Sequence, residues 1–295
     1  MQKSPERVPP QPLLVMIERL DGCWARYRAE LRRTRREVAD EYVHDLRVSI
    51  RRLIAALEMG QALAHLKKFK KSKRLLKSQL EAFDALRDTQ VQLTIVEELQ
   101  EDLPEITPFR NHLRVREKRL TSRLNKTIKD FQSTALARPV ARLRKAMLGK
   151  PSAEADAAIW SEVDDAFALV IRRRSAVRAD DTASIHRLRL AFKDFRYRIE
   201  SIQPLLTGAP GTLMRRLHDY QTLMGDIQDV EVGLQMLVDY SARSGVELAG
   251  VQTRLTEMHQ AHVRAFIEAM PEVRAFWRAT PEKSFPWQSK KRVTP

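Results

Sequence analysis

The sequence predicts an all-α protein of two four-helix bundles related by internal duplication. Three observations lead there. Apolar residues recur at helical spacing, and no run of alternating β-branched residues flanked by turns is present. Gly is scarce, at 9 of 295 residues, and prolines gather near the ends and at a few breaks, which suits long helices. One stretch is also written twice: VHDLRVSIRRLIAALE at 43–58 returns as IHRLRLAFKDFRYRIE at 185–200.

Residues 1–12 have no apolar run and read as a flexible tail, not a signal peptide. The first bundle, 13–148, is expected as helices over about 13–38, 41–60, 66–100 and 108–137 with a short piece at 139–148, the breaks marked by Pro104, Pro108 and Pro139. GKPSAEAD, 149–156, is the linker, with Ser152 as its candidate helix cap. The second bundle, 157–279, is expected as helices over about 157–178, 183–203, 210–242 and 246–279, with Pro204, Pro210 and Pro271 near ends or kinks. Residues 280–295, TPEKSFPWQSKKRVTP, read as a mobile basic tail. Two packed bundles satisfy this pattern of long amphipathic segments.

On a helical wheel Val43, Leu46, Ile50, Leu53 and Leu57 form an apolar stripe, repeated by Ile185, Leu188, Phe192, Phe195 and Ile199. Beside it runs a polar stripe of His44, Arg47, Arg51 and Glu58, repeated by His186, Arg189, Lys193 and Glu200. Asp88 follows His44 by 44 residues in FDALRDTQV, and Asp229 follows His186 by 43 in LMGDIQDVEV. A period of about 142 residues is that of a duplicated half and not of a solenoid.

The net charge is +15, from 53 Lys and Arg against 38 Asp and Glu, which points to a polyanionic partner. It is uneven: residues 1–150 carry 33 basic and 19 acidic side chains, or +14, and residues 151–295 carry +1. No apolar run is long enough to span a membrane. Cys23 is the only cysteine, so no internal disulfide framework is possible and cytoplasmic residence is the default expectation.

A charged stripe beside an apolar one is usually a solvated helix face. Here it is Arg-rich, opens with His both times, borders the packing face, and keeps its spacing where the surrounding charge has fallen. Lys70, Lys73, Arg74 and Lys77 in KKFKKSKRLLK, and Arg110, Arg114 and Lys118 in RNHLRVREKRLTSRLNK, are expected to line the same groove. The second half offers only Arg215 and Arg216 at the matching place. Arg forks and Lys point charges suit phosphate oxygens. Glu58, Asp88, Glu200 and Asp229 are expected to orient those cations and not to act as catalytic acids. His44 and His186 have Arg47 and Arg189 where a metal site would want a ligand, so they read as phosphate-facing hydrogen-bond donors and no metal is expected. Arg47 and Arg51 lie outside the apolar stripe, so replacing both is expected to spare the fold, and Arg35 with Arg36 reads as a solvated helix end. No phosphate-binding loop, nucleophile elbow or zinc-protease motif proposes an enzyme, and no cofactor is called for.

These doubled segments resemble the CHAD family, the conserved-histidine α-helical domain, over about 13–279. The resemblance implies two four-helix bundles related by pseudo-twofold symmetry and a basic cleft that binds inorganic polyphosphate without catalysis, and it implies location at polyphosphate granules, with granule-associated proteins as further partners. It carries His44, Arg47, Arg51 and Arg52 from the first motif, and His186, Arg189, Lys193, Arg196 and Tyr197 from the second, with Arg87 and Asp88, and Asp229, from the later signature. The halves differ: Ile54 and Ala55 stand for Arg196 and Tyr197, Gln228 for Arg87, and Gly225 for Asp84. The ExExK strand of the triphosphatase-type domain that some members carry is not present, so the module is expected to stand alone. The competing class is a nucleic-acid-binding helical protein, disfavoured because aromatics are 6% and fall mostly on apolar stripes.

Overall fold

The computed structural model describes residues 11–66 and 69–288. Its α-helices are α1 (Pro12–Arg36), α2 (Asp40–Leu63), α3 (Lys70–Leu99), α4 (Thr107–Thr127), α5 (Thr134–Leu148), α6 (Ser152–Ser175), α7 (Thr182–Ile202), α8 (Leu213–Ser244) and α9 (Ala249–Ala269). Among the described residues no strand forms, and an isolated bridge joins Arg178 to Asp181. The lengths recur in order: α1 to α4 have 25, 24, 30 and 21 residues, and α6 to α9 have 24, 21, 32 and 21.

Local chemistry sets the ends. Pro12 opens α1, where its missing N–H is no loss, and Arg33, Arg35 and Arg36 close it against the carbonyl end of the dipole. Asp40 and Glu41 occupy the first turn of α2 for the converse reason. α8 stops at Gly245, whose φ of 69° is a left-handed conformation that a side chain would resist. Ser152 is the first residue of α6 and not its cap: Pro151 holds that position in extended backbone.

Two expected boundaries fail. The fourth helix ends at Thr127 and not near 137, because the chain turns through a 3₁₀ segment at 128–130 and buries Ile128 and Phe131. Phe131 meets Phe83 of α3 edge-on at 5.7 Å. Arg35 donates to the backbone oxygens of Ile128 (3.3 Å), Lys129 (3.2 Å) and Phe131, so it secures this corner and is not a solvated helix end. Pro139 then lies inside α5, which runs on to Leu148 as a full element. The C-terminal segment departs as well. Residues 280–288 are not a free tail: Phe285 and Trp287 stack at 4.7 Å and pack on the core beside Trp277. Asp164 accepts from Trp277 Nε1 at 2.7 Å and from Arg278 at 2.9 and 2.6 Å, which pins the segment's start. Residues 289–295, and 1–10 of the N-terminal segment, lie outside the described residues.

The apolar stripes are the core. Val43, Leu46, Ile50, Leu53 and Leu57 are buried, and so are Ile185, Leu188, Phe192, Phe195 and Ile199. One continuous apolar cluster takes in α1, α2, α5, α6, α7 and the first parts of α3 and α8, so the two bundles merge instead of forming separate cores. α3 and α8 run past it. Their far ends form a second cluster with α4 and α9, including Leu93, Val96, Phe109, Leu113, Val230, Leu237 and Val251. The two long helices pack together where Gly233 faces the Gln92 side chain, and the missing Cβ leaves room for the Gln92 amide. Gln92 Nε2 also donates to the Asp229 carbonyl at 2.7 Å.

Candidate polyanion-binding site

α2 lies antiparallel to α3, and Arg47 meets Asp84 at 3.0 Å about three turns from where Lys73 meets Glu58. α7 and α8 pair the same way: His186 Nδ1 meets Gln228, and Thr182 donates to Glu231 at 3.0 Å. In these registers Arg87 is level with His44, and Gly225 with Arg189. Arg87 does not pair with His44; it reaches across to Asp229 of α8 with two hydrogen bonds of 3.0 and 3.2 Å. That fork bridges the halves.

Five cations thereby collect where α2, α3, α7 and α8 meet. Burial, then Arg51, Arg189 and Arg47, lower the pKa of Lys193 to about 7, with Asp84 opposing the shift. Arg47 is pushed down by burial, then by Arg51 and Arg87, and Arg189 by burial, then Arg51 and Arg87. Arg51 and Arg87 act on both Arg47 and Arg189, and Arg51, Arg189 and Arg47 act on Lys193, which places the five within electrostatic reach. Asp84, Asp88 and Asp229 interleave. Burial raises Asp88, with Arg87 at 3.8 Å opposing the shift.

The remaining predicted residues divide. His44 is exposed on the near side of α2 and His186 is half-buried against Gln228. Arg196 lies over the Tyr197 ring at 4.9 Å, next to Lys193, and Tyr197 is itself buried. Lys70, Arg74 and Lys77 are exposed along the first turns of α3. Glu200 faces Arg52 (2.6 Å) and Arg19 (2.9 Å), and Glu58 takes Lys73, so neither acid touches Arg47, Arg51 or Arg189. Arg110 and Arg114 do not join the cluster. Arg110 pairs with Gln100 and Arg114 with Glu97 at 3.0 Å, positions roughly 14–18 Å beyond Asp88 along α3. Lys118 is exposed farther along α4. Arg216 lies over Phe276 at 5.4 Å with Arg215 exposed beside it, near the start of α8 and roughly 20 Å from Asp229. An open cleft of about 490 Å³ does exist beside α2, lined by Glu58, Gln61, His65, Glu162 and Arg198, but its charges are mixed and paired: Arg198 meets Glu162 at 2.7 Å and Asp194 at 3.2 Å.

Sequence reasoning missed Asp84 as the partner of Arg47. Its signal was available: Asp84 precedes Asp88 by four residues and so shares its helix face. It also took Arg47 for a replaceable surface group, whereas Arg47 is 5% exposed.

The sequence matches the CHAD domain over residues 18–238. The chain belongs to the CHAD domain family. Two solved structures share the fold: the CHAD domain of the plant Ricinus communis, at 16% identity and TM-score 0.65, covering 93% of this chain and 94% of that one, and PptA from Streptomyces chartreusis, at 17% identity and TM-score 0.68, covering 90% and 99%. No curated protein matches the sequence. The cationic cluster of this CHAD domain is formed by α2, α3 and α7, all within the matched residues. Among the described residues no helix is long and apolar enough to cross a membrane.

Proposed function

We propose that this CHAD domain binds inorganic polyphosphate in the cationic cluster at the junction of α2, α3, α7 and α8. The observation that carries this is the gathering of Arg47, Arg51, Arg87, Arg189 and Lys193 at one half-buried junction, where burial and neighbouring cations lower the proton affinity of Arg47, Arg189 and Lys193. Gathering like charges costs free energy in the empty protein, and a polyanion laid among them relieves it. Family membership favours polyphosphate as that polymer, since CHAD domains are associated with it. Polyphosphate carries dense charge and no bases. The rings nearest the cluster, Phe192, Phe195 and Tyr197, are buried, so they give no stacking platform of the sort single-stranded nucleic acid uses.

The role is binding and not catalysis. Asp84 and Asp229 are engaged by Arg47 and Arg87, which leaves them orienting groups. The module acts as a scaffold in the cytoplasm at polyphosphate granules, alongside other granule proteins. The test is competition for the full chain between long-chain polyphosphate, DNA and RNA at two salt concentrations. Displacement by polyphosphate well before either nucleic acid is expected; preferential displacement by RNA or DNA replaces this function with nucleic-acid binding.

A further inference from the structure

Resting on that function, the cations of the cluster are not equivalent. Those on α2 and α3 mostly have anions: Arg47 has Asp84 at 3.0 Å, Arg87 has Asp229 at 3.0 and 3.2 Å, and neighbouring Arg52 has Glu200 at 2.6 Å. α7 is different. Arg189, Lys193 and Arg196 are spaced by four and three residues along one face, and the Nε atoms of Arg189 and Arg196 are buried without a hydrogen-bond partner. Where Asp84 stands level with Arg47, Gly225 stands level with Arg189, and nothing lies within 4 Å of the position its Cβ would take. Lys193 sits inside this ladder. Charged groups face it from each element packed there: Arg189 on its own helix, Arg47 and Arg51 on α2, and Asp84 on α3, while Asp229 of α8 faces Arg189. Among the described residues no carboxylate makes an ion pair with Lys193 within 4.0 Å, while Asp84 is already taken by Arg47.

We infer that Arg51, Arg189, Lys193 and Arg196 form the seat of a phosphate group, and that an occupant draws one proton from solvent onto Lys193 Nζ. The amine gains N–H donors toward the phosphoryl oxygens, the proton comes from water or buffer, and no bond to phosphorus changes. The planar guanidinium forks of Arg189 and Arg196 hold the seat in shape. Burial among like charges, which keeps the Lys193 pKa down to about 7 in the empty protein, is offset once an anion is present. Binding is therefore linked to proton uptake. The sign follows: above pH 7 each occupied seat takes up a larger fraction of a proton, and the apparent Kd rises by up to about tenfold per pH unit.

The test is calorimetry of the full chain with polyphosphate, at constant ionic strength, in buffers of different ionisation enthalpy. Uptake of about half a proton per site at pH 7 and about nine-tenths at pH 8 is expected. Lys193→Arg should bind with no such uptake, and Lys193→Gln should bind more weakly with a flat pH profile. Gly225→Asp supplies Arg189 with a partner and should reduce both affinity and uptake. The double variant His44→Gln with His186→Gln should keep the uptake at pH 8; its loss there would assign the proton to a histidine and overturn the seat. Binding without uptake, or uptake unchanged in Lys193→Arg, would overturn the seat and leave polyphosphate binding standing. Absence of polyphosphate binding at both pH values would overturn both.

Discussion

Arg47 and Arg189 occupy matching places on α2 and α7 yet face different neighbours, and the difference is one side chain. Asp84 is about half exposed and Arg47 is nearly buried, so Asp84→Ala leaves a guanidinium beneath the surface with no counter-charge. A cost of about 1–2 kcal/mol is expected, below that of a fully buried pair because the acid is partly solvated. The same change frees Arg47 for an anion and adds a net positive charge. Polyphosphate affinity should then rise while the melting temperature falls. Thermal melts and a binding titration on one preparation check the opposite signs; affinity falling with stability would mean Asp84 shapes the site instead of neutralising it. Lys193 gives a second prediction at this scale. Its pKa is about 7 in the fold against an ordinary 10.5, so the unfolded chain binds the extra proton between those values. Stability of the ligand-free protein therefore rises with pH across that window, and the penalty is fully present below pH 7. Lys193→Met should melt higher than the parent near pH 7, with the advantage shrinking toward pH 10. An advantage constant with pH would trace it to packing.

At the scale of helices, what could be read in the sequence was what repeats along one element. The apolar stripes of α2 and α7 were legible because burial imposes a 3.6-residue period, and all ten of their residues are buried. The corner after α4 was not, since Phe131 is buried by Phe83 nearly fifty residues earlier and no local signal announces that contact. The same holds for the C-terminal segment, whose Phe285 and Trp287 look like isolated aromatics in a polar run until Trp160 and Trp277 are brought beneath them. The cation stripe was legible as a face, but which of its members carry partners depends on α3 and α8. Arg52 looked like a groove residue and is held by Glu200 of α7, across the halves. From this packing, Trp287→Ala is expected to cost about 1–3 kcal/mol and to lower Tm by several degrees, despite its place eight residues from the chain's end. Differential scanning calorimetry decides it: an unchanged Tm would return 280–288 to the status of a tail.

Across the whole molecule, charge is divided between long-range attraction and close engagement. The first half carries +14 and the second +1, while Arg189, Lys193 and Arg196 of the cluster lie on α7 in the second half. Contacts to a polyanion release counterions; by analogy with duplex DNA, six to ten neutralised phosphates lower affinity roughly 10³–10⁵-fold between ~50 and ~200 mM salt. A nearly flat salt response would remove electrostatics from the account. The division also predicts kinetics. Lys70, Arg74 and Lys77 are exposed on α3, where their field reaches solvent, so replacing all three with Gln should slow association and lessen the salt slope. Arg189 and Lys193 are half-buried at the junction and act only at contact, so substitutions there should mainly speed dissociation. The control is Arg138→Ala with Arg142→Ala on the exposed face of α5, because Arg35 secures the corner after α4 and is unsuitable. Surface-binding kinetics at two salt concentrations compare the three variants. Equal effects on both rate constants from the α3 and α7 sets would mean that the charge acts as one diffuse field. An α5 control as harmful as either would deny the junction any special role.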